Sequence, residues 1–164
     1  RRLDDGLTSW RVQETRYLSN GAIEMDGILE LQGWLRPMLL TDNIAISINK
    51  NLEGPTGVVL DARHLAFNPC IAPEIRTSTD EILVHHSMVH PDVLRVRSPV
   101  LYVNDPADMQ AVTRAGDHPL FLTAESSERD CKLNLSTADS NLLLNSPAFG
   151  NAVASGRVVL VVNP

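Results

Sequence analysis

Apolar residues alternate with polar ones over residues 8–18, where Trp10, Val12 and Leu18 fall on one side and Arg11, Gln13 and Glu14 lie among them. After Ser19-Asn20-Gly21 a second run, residues 22–31, carries Ile23, Met25, Ile28, Leu29 and Leu31 between acidic positions. Two extended runs around Asn-Gly predict a β-hairpin, because that dipeptide accepts the positive φ of a tight hairpin turn. Gly27 interrupts the second run and predicts a bulge or bend in it. Trp34, Leu35, Met38, Leu39 and Leu40 then suggest one helical turn with Pro37 in its first turn. Ile44, Ile46 and Ile48 alternate strictly and read as a strand.

The polar connection Asn49 to Pro55 marks the expected boundary between an N-terminal hairpin-containing part, residues 1–54, and a β-rich C-terminal domain, residues 55–164. Beyond it, short strands are expected at Gly57 to Leu60, Glu81 to His85, Val100 to Val103, Leu120 to Thr123, Cys131 to Leu135 and Val158 to Val162. Two helical windows interrupt them. Asp105-Pro106-Ala107-Asp108 has the chemistry of a helix N-terminus, with Met109, Val112 and Ala115 at helical spacing and Gly116 as the stop. Thr137 to Leu144 is the second window, ended before Pro147. Many short strands with Gly and Pro turns and few helices predict a β-rich α+β fold with antiparallel or mixed sheets.

Composition narrows the function classes. At 164 residues and 43% hydrophobic, the chain can bury one sizeable core or two small ones. It carries 14 basic and 20 acidic residues, a formal charge of -6, and its basic residues are single apart from Arg1-Arg2 and Arg95-x-Arg97. A nucleic-acid binder needs a clustered basic footprint, and only 4% of residues are aromatic, so neither phosphate nor base recognition is expected. No apolar run reaches the length of a membrane-spanning helix, so any membrane contact is expected to be indirect. The chain starts at Arg1, which suits a processed protein or a fragment equally. Cys70 and Cys131 lack metal-ligand spacing; they are either a bridge closing a long loop or two separate buried thiols.

Candidate chemistry is thin. Asp61-x-Arg63 at a strand exit is an acid and base in reach of each other, an arrangement that more often fixes a turn than serves catalysis. His85, His86 and His90, with His64 and His118 elsewhere, invite a metal reading, since imidazole suits zinc, copper and nickel. On a strand, however, His85 and His86 point to opposite faces, and no His-Glu-x-x-His or Cys-x-x-Cys motif is present. Ser98, Ser126 and Ser127 lack a nucleophile-elbow context, and the glycines form no phosphate cradle. Trp10, Trp34 and Phe121 read as core or interface anchors. No catalytic, cofactor-binding or metal residue is assigned; the competing enzyme reading is a small metal-dependent hydrolase built from Asp61, His85 or His86, and His118.

Several ordered segments carry a family resemblance. Thr56-Gly57-Val58-Val59-Leu60-Asp61-Ala62-Arg63-His64-Leu65 resembles a Thr-Gly-Leu-Val-Val-Asp-Ala-Arg-Gly-Leu run in a group of bacterial envelope proteins that includes flagellar assembly protein T and related outer-membrane lipoproteins. Asn68-Pro69 and Ala72-Pro73-Glu74-Ile75 are similar to the step that follows it. Gly116-Asp117-His118-Pro119-Leu120 resembles a later Gly-x-Asn-Pro-Leu segment, and the hairpin around Asn20-Gly21 resembles an earlier one. His64 replaces the usual Gly, and Thr77-Ser78-Thr79-Asp80-Glu81 replaces an acidic Gly-containing turn. The helix that usually precedes the hairpin has only residues 1–7 here, so the resemblance implies a start inside that domain. It further implies a noncatalytic periplasmic or outer-membrane-associated protein that assembles with itself and with other components of a large envelope machine such as the flagellar basal body.

Overall fold

A computed structural model of the chain describes residues 10–29, 48–49, 52–129 and 131–163. The fold is strand-rich α+β: a two-stranded ribbon and two four-stranded sheets, with four short helices among the described residues. The ribbon pairs β1 (Trp10–Tyr17) with β2 (Ile23–Leu29) in antiparallel register. Its irregularity lies between Val12 and Glu14, on the strand opposite Gly27. The bulge expected within the second run therefore belongs to the first, and Gly27 is the residue that faces Val12.

The first large sheet is wholly parallel, an arrangement not foreseen from the sequence. Its strands are β3 (Val58–Asp61), β6 (Val100–Val103), β7 (Leu120–Thr123) and β10 (Val158–Val161), in the spatial order β6-β10-β3-β7. Side chains alternate between faces, so even and odd positions separate into different apolar clusters. Val58, Leu60, Val158, Leu160 and Val100 belong to the larger cluster, whereas Val59, Val159, Val161 and Val103 join Ala111 and Ala115 of a covering helix. That helix, α2 (Met109–Ala115), lies over β3, β6 and β10. The central strand β10 is buried at all four positions, which is why Val-Val-Leu-Val reads as a continuous apolar run.

The second sheet is mixed, in the order β5-β4-β9-β8, from β4 (Glu74–Thr77), β5 (Ile82–Val84), β8 (Ser126–Glu128) and β9 (Lys132–Leu135). Its inner positions Ile75, Leu83, Leu133 and Leu135 join the even face of the parallel sheet in the larger cluster. Helices α3 (Thr137–Leu144) and α4 (Phe149–Ala154) contribute Leu143, Phe149 and Val153 to it. Helix α1 (Pro91–Val96), with Pro91 in its first turn and His90 as its cap, buries Leu94 against Val89.

Local chemistry explains the boundaries. Helix α2 begins at Met109 rather than at Asp105 because the Ala107 amide donates to the Asp105 carboxylate at 2.8 Å, closing a separate turn, and Asp108 then caps the helix by accepting from the Gln110 amide at 2.7 Å. Ser136 caps α3 through the Asp139 amide at 3.1 Å. The expected strand at Glu81 to His85 is confined to Ile82–Val84, since His85 already caps a 3₁₀ turn over His86–Met88. The helical turn expected over 34–40 and most of the strand expected over 44–48 lie outside the described residues.

Candidate interaction surface

The ribbon has two chemically distinct faces. Tyr17 pairs with Ile23, Thr15 with Met25 and Val12 with Gly27, so these positions share one face. Arg16 opposite Glu24, Glu14 opposite Asp26 and Arg11 opposite Ile28 make up the other. The irregularity after Val12 keeps Val12 on the same face as Thr15 and Tyr17, which strict alternation would have separated. On the polar face, Arg16 lies 3.3 Å from Glu14 and 3.7 Å from Glu24, and also donates to Asp26. On the apolar face, Val12, Tyr17, Ile23 and Met25 are each between 51% and 78% exposed. A sheet face this apolar is ordinarily covered, and a two-stranded ribbon gains independent stability only by packing.

Apolar exposure extends to the parallel sheet. Phe121, on edge strand β7 in register with buried Val59, is 63% exposed. Val112 and Met109 on α2 are exposed as well. Of the aromatic residues read as core or interface anchors, Phe121 thus stands at the surface; the side chains of Trp10 and Trp34 lie outside the described residues.

The residues considered for catalysis occupy separate places. Asp61 ends β3 and accepts from the Arg63 amide at 3.0 Å and from the Arg63 Nη2 at 2.6 Å, which closes the turn leaving the strand. The same guanidinium contact holds the Asp61 carboxyl below its usual value. His118 precedes β7 at the opposite end of the sheet. Since Val58 aligns with Leu120, five residue steps separate Asp61 from His118 along the strand direction, roughly 16 Å. His64 is exposed in the loop after β3, and His90 accepts from the Asp92 amide at 3.2 Å as the cap of α1.

His85 and His86 do come together, against the expectation that they face opposite ways. Because the strand ends at Val84, their rings lie 3.8 Å apart between centroids. His85 Nδ1 is 2.8 Å from the Ser87 hydroxyl, and its Nε2 is 3.7 Å from Glu74. Glu74 in turn accepts from Arg76, which also reaches Asp80 at 2.5 Å. These contacts form an ion-paired patch on the outer face of the second sheet. Among the described residues, no three His, Cys, Asp or Glu side chains form a cluster suited to a metal ion.

Cys70 and Cys131 are joined by a disulfide with Cα atoms 6.3 Å apart. It ties the loop after β3 to the turn between β8 and β9. The Tyr102 hydroxyl donates to the Cys70 carbonyl at 3.0 Å and accepts from its amide at 3.2 Å. Burial pushes the Tyr102 phenol up to about 12.

Strict alternation in the sequence grouped Val12 with Leu18; the irregularity after Val12 instead sets Val12 with Thr15 and Tyr17, out of phase with Leu18, so that grouping is corrected. The available signal was the matching spacing of Ile23 and Met25 with Thr15 and Tyr17 across Asn20-Gly21. Residues 57–164 match the family described as Treponema pallidum Tp0624, second domain. No curated protein matches the chain.

Proposed function

The chain belongs to the family of the Treponema pallidum Tp0624 second domain, and we propose that it is a noncatalytic bacterial structural protein that helps assemble a large envelope machine such as the flagellar basal body. The observation that carries this reading is the exposed apolar face of the ribbon at Val12, Tyr17, Ile23 and Met25, a surface suited to another protein. The dispersal of Asp61, His85 and His118 supports recognition by shape and strand edges over bond making. Its partners are further copies of itself and other envelope components, not nucleic acid, with membrane contact only indirect. No helix of the described residues is long and apolar enough to cross a membrane.

A periplasmic or outer-membrane-associated location agrees with the disulfide, because such bridges persist in oxidising compartments. The segments Thr56 to Leu65 and Gly116 to Leu120 support a wider kinship with flagellar assembly protein T and the related lipoproteins. Residues 1–54 would then serve as a hairpin-bearing part ahead of the domain at 55–164. Covalent crosslinking in the native cell envelope, followed by mass spectrometry, tests the reading. Reproducible links to itself and to ring or secretion components are expected; a partnerless protein, or one whose metal content after tag-free purification is stoichiometric, would overturn it.

A further inference from the structure

Among the described residues no strand pairs with the outer edge of β1, and that open edge carries a self-complementary pattern of charge and backbone groups. Across the end of the hairpin the Leu18 amide donates to the Ala22 carbonyl at 2.9 Å. Tyr17, Arg16, Thr15 and Glu14 then face Ile23, Glu24, Met25 and Asp26 in turn. In an antiparallel ladder, successive residues alternate between bonding to the neighbouring strand and turning their amide and carbonyl away from it. Counting from Leu18, Arg16 and Glu14 turn their backbone groups towards β2, while Tyr17 and Thr15 turn theirs to the open edge.

One antiparallel register uses those outward groups and also opposes unlike charges. If Thr15 faces Thr15 of a second copy, Arg16 stands opposite Glu14 of that copy, and Glu14 opposite its Arg16. Every contact then occurs twice about a two-fold axis, the arrangement that closes a dimer. Registers centred on Glu14 or Arg16 oppose like charges and call on backbone groups already directed at β2. A register centred on Tyr17 sets Arg16 against Leu18. The outer edge of β2 fails the same test, because centring it on Met25 sets Glu24 against Asp26 of the second copy, and like charges directly opposite are destabilising.

We propose that two copies of this chain join edge to edge through β1, in the antiparallel register centred on Thr15. The result is a four-stranded sheet in which Tyr17, Ile23 and Met25 of both copies share one apolar face. The irregularity after Val12 limits the flat run to Glu14 through Tyr17, which keeps the pairing short and stops it from extending into an open fibre. This inference rests on the assembly reading and gives that reading its self-contact.

The test uses the full chain. In the proposed register the facing Cα atoms of Thr15 lie about 5.5 Å apart, within reach of a disulfide. Because Cys70 and Cys131 are bridged to each other, Thr15→Cys introduces the one free thiol, and mild oxidation is expected to give covalent dimers. Asp26→Cys, on the far strand of the same ribbon, is expected to give none. Sedimentation should show that Glu14→Arg and Arg16→Glu each weaken self-association by about tenfold. An equimolar mixture of the two variants should restore it, since each then supplies the charge that the other lacks. Rescue in the mixture separates the edge contact from simple misfolding of the ribbon. Self-association that survives both charge variants, with no crosslink at Thr15→Cys, overturns this inference while leaving the assembly reading in place. A chain that stays monomeric and uncrosslinked also overturns it, and the assembly reading is then judged on the envelope crosslinks alone.

Discussion

Thr56 and His118 hold each other by two hydrogen bonds, the Thr56 amide donating to the His118 carbonyl and the His118 amide to the Thr56 hydroxyl, both at 3.0 Å. The same hydroxyl donates to the Ala115 carbonyl at 2.8 Å. Thus the two most distinctive stretches of the sequence, Thr56-Gly57 and Gly116-Asp117-His118, meet where β3 and β7 begin. Arg114 completes the lacing by donating to the carbonyls of Gly156 and Ser98, which lie just ahead of β10 and β6. All four parallel strands are therefore registered at their N-terminal ends by one helix terminus and one threonine.

Gly57 is the tightest point of that junction. A Cβ there would stand 2.4 Å from the Ala115 carbonyl oxygen and 2.7 Å from that of Arg157, both of them backbone atoms. Gly57→Ala is expected to lower unfolding free energy by more than about 3 kcal/mol, and Thr56→Val by about 1–3 kcal/mol through the lost hydroxyl contacts. Urea denaturation of each variant measures both, and a Gly57→Ala protein as stable as the parent would refute the packing account.

The Cys70–Cys131 bridge spans a sequence separation of 61 residues. A loop of that size restrains the unfolded chain enough to contribute about 4 kcal/mol on the chain-entropy account. The double variant Cys70→Ala/Cys131→Ala should lose that amount in urea titration, and reducing agent should affect the parent but leave the variant unchanged.

Tyr102 links the same loop to edge strand β6. Its pKa, raised to about 12 by burial, exceeds the value near 10 of an unfolded tyrosine. The folded state therefore holds the proton more tightly. This contribution is fully present below about pH 10 and is lost as pH rises towards 12. Tyr102→Phe should flatten that alkaline loss and, at neutral pH, cost about 1–3 kcal/mol for the unpaired Cys70 backbone groups. Absorbance titration should show the late-ionising phenol in the parent and its absence in the variant.

Asp61 gives the opposite pH dependence. Its folded-state pKa is depressed, chiefly by the Arg63 side chain. It therefore stabilises the fold above the unfolded carboxylate value near 4, and the contribution is lost as pH falls through the lower folded value. Asp61→Asn should destabilise the protein at neutral pH and make its stability less sensitive to acid below about pH 4. Equal acid sensitivity in parent and variant would show that the turn closed by Arg63 does not depend on the charge.

Strands Val100–Val103 and Leu120–Thr123 and helix Thr137–Leu144 were legible because apolar runs or capping residues marked both their ends. Strand β4 was not: Glu74-Ile75-Arg76-Thr77 holds a single apolar residue, and the buried threonine that completes its inner face resembles a turn residue. Strand β8, Ser126–Glu128, carries no apolar residue at all. Helix α4 was missed for another reason, since its apolar residues are buried together and its first turn has no side-chain cap. Helix α1 did leave a signal in Pro91 and Asp92, which the density of histidines around it obscured. For the ribbon, a strict period of two placed Val12 with Leu18, whereas the extra residue after Val12 sets it with Tyr17, and periodicity is in any case silent on what covers a face.

Ser140 offers a test of the core that runs towards greater stability. It lies on α3 at 3% exposure, and its hydroxyl has no hydrogen-bond partner among the described residues, while its amide is held by the Ser136 carbonyl at 2.9 Å. Among the described residues nothing replaces the water that this buried hydroxyl loses on folding. The helical backbone does not need it, and alanine has the higher helix propensity. Ser140→Ala removes the desolvated oxygen and opens a gap smaller than a methyl group, so the desolvation gain of about 1 kcal/mol should exceed the small packing loss. Thermal and urea denaturation should both move to higher stability. A drop of similar size instead would mean that this hydroxyl is satisfied in solution, and that the contact surface of α3 is more polar than its apolar neighbours imply.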